Sequence, residues 1–215
     1  MHESQFIHDS IANMPEDELV ERLLSDPLWS SDFFQFAGMP EKMVNRQRVL
    51  LDTIPGNYEG DIDILRCNPD HPERAVAYQV KRIKFGLSQV RHGVPSKLNE
   101  FRKVARQANL LARIGFWQVY VYVLVVADTR EQNFGKVTYA GIPAKLKSLV
   151  DSAISLDLLD RKVGLGILDF TQPMDYGPLT VGTHGLHVQR FAIPSVQSQE
   201  LTDWIAELLP SSRKN

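Results

Sequence analysis

The sequence predicts an α/β fold, a mixed central sheet flanked by helices, and three observations point to it. Residues 60–66, Gly-Asp-Ile-Asp-Ile-Leu-Arg, and 77–82, Ala-Tyr-Gln-Val-Lys-Arg, alternate apolar and polar side chains at the period of a strand. Residues 116–126 are almost continuously apolar, the pattern of a central strand covered on both faces. Between them, Lys97 to Ile114 place Leu98, Phe101, Ala105, Ala108 and Ala112 at helical spacing.

The remaining elements follow in chain order. Residues 15–25 predict a short helix, with Pro15 and three acids in the first turn, where the helix dipole favours them. Its buried stripe is Leu19, Val20, Leu23 and Leu24. Ser31 is a candidate cap before Phe33, Phe34 and Phe36, an aromatic group that suits a core. Pro40 predicts a further helix running to about Thr53, with Met43, Leu50 and Ile54 on its apolar face and Pro55-Gly56 as its stop. Residues 68–74, rich in turn formers and holding two prolines, predict the loop that joins the first two strands as an antiparallel hairpin. A polar, basic loop over 88–95 suits substrate contact, and Gly115 ends the long helix. Beyond Asp128 the pattern predicts a helix over 142–155, strands over 163–170 and 186–193, and a closing helix over 199–209.

Composition sets bounds. With 215 residues and 43% hydrophobic content, the chain is expected to form one globular domain. No run approaches the roughly eighteen apolar residues of a membrane span, and Met1-His2-Glu3-Ser4 does not open a signal peptide. Cys67 is the only cysteine, so no intrachain disulfide can form. A cytoplasmic setting and a structural role for Cys67 are expected. Charge is unevenly spread: residues 1–75 hold 6 Lys/Arg against 15 Asp/Glu, whereas residues 76–114 hold 9 against 1. A basic block of this kind reads either as a phosphate-binding surface or as a charged helix balancing the acidic part.

The hairpin carries the chemistry. Side chains alternate along a strand, so Asp61 and Asp63 are expected on one face of the first strand, and Gln79 and Lys81 on one face of the second. If the faces agree, two carboxylates, an amide and an ammonium converge. Hard cations such as Mg²⁺ take one or two carboxylates together with phosphate and water. Such an ion polarises phosphoryl oxygens, and a neighbouring ammonium stabilises developing charge.

The order Gly60-Asp61-Ile62-Asp63, hairpin loop, then Tyr78-Gln79-Val80-Lys81-Arg82 resembles the PD-(D/E)XK nuclease superfamily. It is most similar to the Mrr-like restriction branch, in which glutamine replaces the usual acid. The resemblance spans roughly residues 40 to 127. It implies a restriction-endonuclease-like α-β-β-β-α-β core over 39–127, with a helical extension over 1–38 and a C-terminal elaboration over 128–215. It implies Mg²⁺- or Mn²⁺-dependent cleavage of DNA, double-stranded in the first instance, with no membrane partner and room for a homodimer or larger complex. Asp63 matches the metal-binding aspartate, Gln79 the acid position and Lys81 the catalytic lysine. Asp61 is an additional carboxylate, or the principal ligand in another register, and the Val80 carbonyl completes the metal set. Glu41 is the glutamate expected from the preceding helix, or simply an acid in a helix's first turn; Glu59 is its rival. Arg82, Lys84, Arg91, Lys97, Arg102, Arg106 and Arg113 are the expected DNA contacts. The departure at Gln79 leaves one rival open, a non-catalytic nucleic-acid binder on the same fold; another is an interaction subunit whose basic helix docks an acidic protein.

Two other motifs carry less. Gly164-Leu165-Gly166 sits in a strand pattern and lacks the third glycine of a dinucleotide fingerprint. His184 and His187, three residues apart, do not share a strand face, so zinc is not expected.

Overall fold

A computed structural model describes residues 14–25, 34, 43–54, 56, 58–85, 100–128, 150, 154–172 and 183–209. Its elements are α1 (Glu16–Ser25), β1 (Val44–Leu50), β2 (Asp61–Asn68), β3 (His71–Phe85), α2 (Phe101–Ile114), β4 (Gln118–Asp128), β5 (Gly164–Gln172), β6 (Thr183–Arg190) and α3 (Gln199–Leu208). The strands form one mixed sheet in the order β1-β2-β3-β4-β5-β6. β1, β2 and β3 meander antiparallel, β4 and β5 run parallel to β3, and β6 returns antiparallel. The fold is therefore α/β, with helices on both faces of a mixed sheet. No helix of the described residues is long and apolar enough to cross a membrane.

Two cores lie on the two faces. Ala75, Ala77 and Ile83 of β3 join Val121 and Val123 of β4 beneath α2 and α3, which contribute Ala105, Ala108, Leu111, Leu201 and Ile205. Val76, Tyr78 and Val80 join Tyr120 and Tyr122 beneath α1, which contributes Leu19, Val20 and Leu23. β4 is buried on both sides through Val126, as its apolar run predicts. α2 closes at Gly115, whose φ of 100° is left-handed and costs glycine nothing.

Two expectations are corrected. The helix predicted over 40–53 is instead β1, followed by a short 3-10 turn over Leu51–Thr53. Its apolar residues are too sparse for a helix stripe, and Arg46, Gln47 and Arg48 lie exposed in succession on an edge strand. Pairing with β2, from Val44↔Cys67 to Leu50↔Asp61, decides the state. The loop predicted over 68–74 shrinks to a turn at Pro69-Asp70, where the Asp70 amide donates to Asn68 Oδ1 at 2.9 Å. Pro72 is tolerated inside β3 because pairing with β4 begins only at Val76↔Gln118. The helix expected over 142–155 falls mostly outside the described residues.

The two glycines of β5 serve packing. Gly164 and Gly166 pair with Tyr120 and Tyr122 of β4, and a Cβ on Gly166 would lie 2.7 Å from the Tyr122 ring. The tyrosines, with Tyr78, lean into this space and pack ring to ring. Gly166→Ala is expected to cost about 1–3 kcal/mol by overpacking, read from a lower urea midpoint with an unchanged slope.

Candidate active site

The site lies where β2 and β3 part. Their backbone pairing reaches Ile64↔Tyr78 and goes no further. Beyond it, side chains take over the exposed edge of β3. The Val80 amide donates to Asp63 Oδ2 at 2.6 Å, and the Arg82 amide donates to Glu16 Oε2 at 2.5 Å. Two carboxylates, one from β2 and one from the first turn of α1, thus sit on alternate amides of one strand. Lys81 lies between them, its Nζ 3.3 Å from Glu16 Oε2 and 3.2 Å from Glu100 Oε2 at the start of α2. The ammonium therefore bridges the two helical layers.

The electrostatics follow from crowding. Burial is the largest influence on Asp63 and raises its pKa; the Val80 amide opposes it, Asp61 and Glu16 raise it further, Lys81 lowers it, and the result is about 6. Burial disfavours the charge of Lys81, but Glu16 and Glu100 outweigh it and hold the ammonium above its ordinary value. Cys67 is buried and pushed up to about 12 by that burial, so it is an inert thiol.

Asp61 and Gln79 occupy a second part of the corner. Gln79 is buried, and its Nε2 donates to the Asp61 carbonyl at 2.6 Å. Asp61 Oδ1 accepts from Gln107 Nε2 of α2 at 3.5 Å. The glutamine is thus a donor here, which a carboxylate at the same position could not be. Gln79→Glu is expected to cost about 1–3 kcal/mol at pH 8, because the new carboxylate faces a carbonyl. The cost should shrink below pH 5, where a protonated acid can donate, and paired urea titrations at the two pH values check this.

The expected convergence of four polar groups on one face is therefore corrected. Asp61 and Gln79 lie with Gln107 beside α2, whereas Asp63 lines a narrow crevice with Glu16, Asp17, Val20, Gln47, Arg48 and Val80 beside α1. Glu41 lies outside the described residues, as do Arg91 and Lys97. Glu16 is the residue that sequence reasoning missed; its signal was there, an acid in the first turn of a helix with a clear buried stripe.

The expected DNA contacts are scattered. Arg82 donates through Nη1 to the Met14 carbonyl, which ties it to the N-terminal helix. Lys84 is half-buried on β3. Arg102, Arg106 and Arg113 are exposed on α2, turned about 100–140° round the helix from Gln107 and opposite the buried face. Lys103, also exposed, is nearer, about 40° from Gln107. Asn109, in the arginine stripe, is a structural pin: it donates to the Leu158 carbonyl at 2.9 Å and accepts from the Asp160 amide at 2.7 Å. His187 reaches the buried carboxylate of Asp169 at 3.4 Å, and the side chain of His184 lies outside the described residues.

Among the described residues, no three His, Cys, Asp or Glu side chains form a cage for a metal ion. What the corner offers is smaller: two carboxylate groups with oxygens held by backbone amides, the donor set of a hard cation that completes its shell with water and phosphate. No family model matches the chain, and no curated protein matches it.

Proposed function

We propose that this chain is a Mg²⁺- or Mn²⁺-dependent nuclease that hydrolyses phosphodiester bonds in DNA. The observation that carries the reading is the placement of Asp63 and Glu16 on the Val80 and Arg82 amides, either side of Lys81. Among the described elements the order α1-β1-β2-β3-α2-β4, with β4 parallel to β3, supports the resemblance to an α-β-β-β-α-β core. Among the described residues α1 stands as the leading helix and β1 as the first strand, and on this reading Glu16 takes the part first expected of Glu41.

Asp63 and Glu16 would hold the cation, with the Val80 carbonyl, which leaves β3 on the same side as its N–H. A bound cation supplies Lewis-acid polarisation of the phosphate and a more acidic water. Lys81 orients the attacking water and stabilises charge on the phosphate. Asp61, fixed by Gln79 and Gln107, adds a further negative charge near Asp63 and strengthens cation binding. The excess of cations in residues 76–114 supplies affinity for the DNA backbone.

A second reading is favoured by one observation: Lys81 is already held by two carboxylates, as in a structural ion-pair cluster. In that reading the chain binds nucleic acid without cutting it. Incubation with plasmid, linear duplex, single-stranded DNA and RNA, with Mg²⁺, Mn²⁺ or chelator, separates the two. Cleavage that needs the metal and is lost in Asp63→Asn is the expected result. Intact substrates throughout, with binding that weakens steeply in salt, would favour the second reading.

A further inference from the structure

Arg48 has φ 51°, the only positive φ outside glycine among the described residues. A left-handed arginine inside a strand is strained, and such strain persists only where the surroundings hold it. The position is telling. The pairing of β1 with β2 includes Gln47↔Ile64 and Val49↔Ile62, and skips the pair between them, Arg48 and Asp63.

The break changes where side chains go. In a regular strand Ile62 would share a face with Ile64. Ile64 does belong to the core beneath α1, but Ile62 joins the core beneath α2, together with Val49 and Leu65. Both strands have therefore switched faces at Arg48 and Asp63. Local irregularities of this kind re-aim a side chain. Here the re-aimed side chain is Asp63, which turns to the crevice shared with Glu16 and Val80 and reaches the Val80 amide. The Arg48 guanidinium itself pairs with Asp17 at the exposed rim, a contact of a kind that contributes little.

We propose that Arg48 is a positioning residue whose left-handed backbone, rather than its charge, aims Asp63 at the free edge of β3. The metal-binding consequence rests on the nuclease reading; the positioning does not. Residues differ in their tolerance of positive φ: glycine and asparagine adopt it readily, and valine does not. Arg48→Gly and Arg48→Asn lose the guanidinium and keep the geometry, whereas Arg48→Val removes both.

The experiment is amide hydrogen exchange at Val80, with Val121 of the buried β4 as internal reference, and Mn²⁺ titration by calorimetry on the same proteins. The Gly and Asn variants are expected to match wild type. The Val variant is expected to exchange Val80 about tenfold faster, as when a hydrogen bond is lost, with Val121 unchanged. Its Mn²⁺ affinity should fall roughly tenfold or more, the usual loss when a ligand's support is removed. Wild-type protection of Val80 in Arg48→Val overturns the proposal. So does loss of protection in Arg48→Gly, which would assign the role to the guanidinium. If Arg48→Val does not fold, Arg48→Ala replaces it, and its contrast with Arg48→Gly decides in the same way. Wild-type protein that binds no Mn²⁺ sinks the metal reading, while Val80 exchange still decides the role of Arg48.

Discussion

Lys81→Ala is expected to abolish DNA cleavage, by about 10³-fold, the scale of losing one group that stabilises transition-state charge. It is also expected to weaken the fold. On sequence alone the lysine reads as a charge-stabilising group that makes no core contact, whose removal leaves folding intact. The structure places it between Glu16 and Glu100, and without it Glu16 and Asp63 repel each other with no ammonium to offset them. At pH 8 the cost is expected to be about 1–3 kcal/mol. At pH 5 it should be smaller, because Asp63, raised to about 6, takes up a proton and its repulsion with Glu16 is relieved. Plasmid cleavage and urea unfolding at both pH values check the two halves independently. Wild-type cleavage by this variant would remove Lys81 from the reaction.

Asp63→Asn is expected to act in opposite directions on activity and stability. The asparagine side chain keeps an oxygen for the Val80 amide, so the hydrogen bond survives while the buried charge does not. Asp63 has its pKa raised from 3.8 to about 6. A group whose pKa is raised by folding contributes stability that is fully present below its unfolded value and lost as pH rises through the folded one. For Asp63 that window runs from pH 3.8 to about pH 6. Above it, the ionised carboxylate costs on the order of 2–3 kcal/mol relative to a neutral isostere. The asparagine variant should therefore melt higher than wild type at pH 8, by roughly 4–10 °C for a chain of this size, and match it near pH 4. Cleavage should vanish. A divalent cation should raise the wild-type melting temperature and leave that of the variant unchanged. Equal melting curves at pH 8 would show that Asp63 is not strained by its neighbours.

Elements with strong local signals were legible in the sequence: the hairpin, α2, the apolar β4, and α1 and α3 with their buried stripes. β1 was not. Val44–Leu50 has one buried residue, Val49, and its strand state comes from β2, about fifteen residues on, which no local period encodes. The site was legible in part. The face on which Lys81 lies was legible because alternation along β3 holds from Val76 to Ile83. The placement of Asp61 and Asp63 on one face failed because alternation along β2 does not hold, and the cause, a left-handed arginine on the neighbouring strand, has no signature in composition or spacing. Glu16 escaped because it meets Lys81 across 65 positions of chain, a closure that only tertiary packing decides. The contact of Gln79 escaped for a different reason: a metal set asks for its oxygen, and no local pattern shows that its nitrogen donates to the Asp61 carbonyl.

α1 is ten residues long, shorter than a helix that stands alone in water. Its helicity depends on docking Leu19, Val20 and Leu23 against the sheet, and Glu16 rides on it. The sheet, by contrast, is held by ladders that do not need α1. The two parts are thus expected to have separate lifetimes. Mild heat or low denaturant would release α1 first, and with it one of the two acids beside Lys81, while β2 through β5 remain paired. Under the proposed function, a cation held by Asp63 and Glu16 would in turn hold the helix down, so inactivation would precede melting by a margin that added metal narrows.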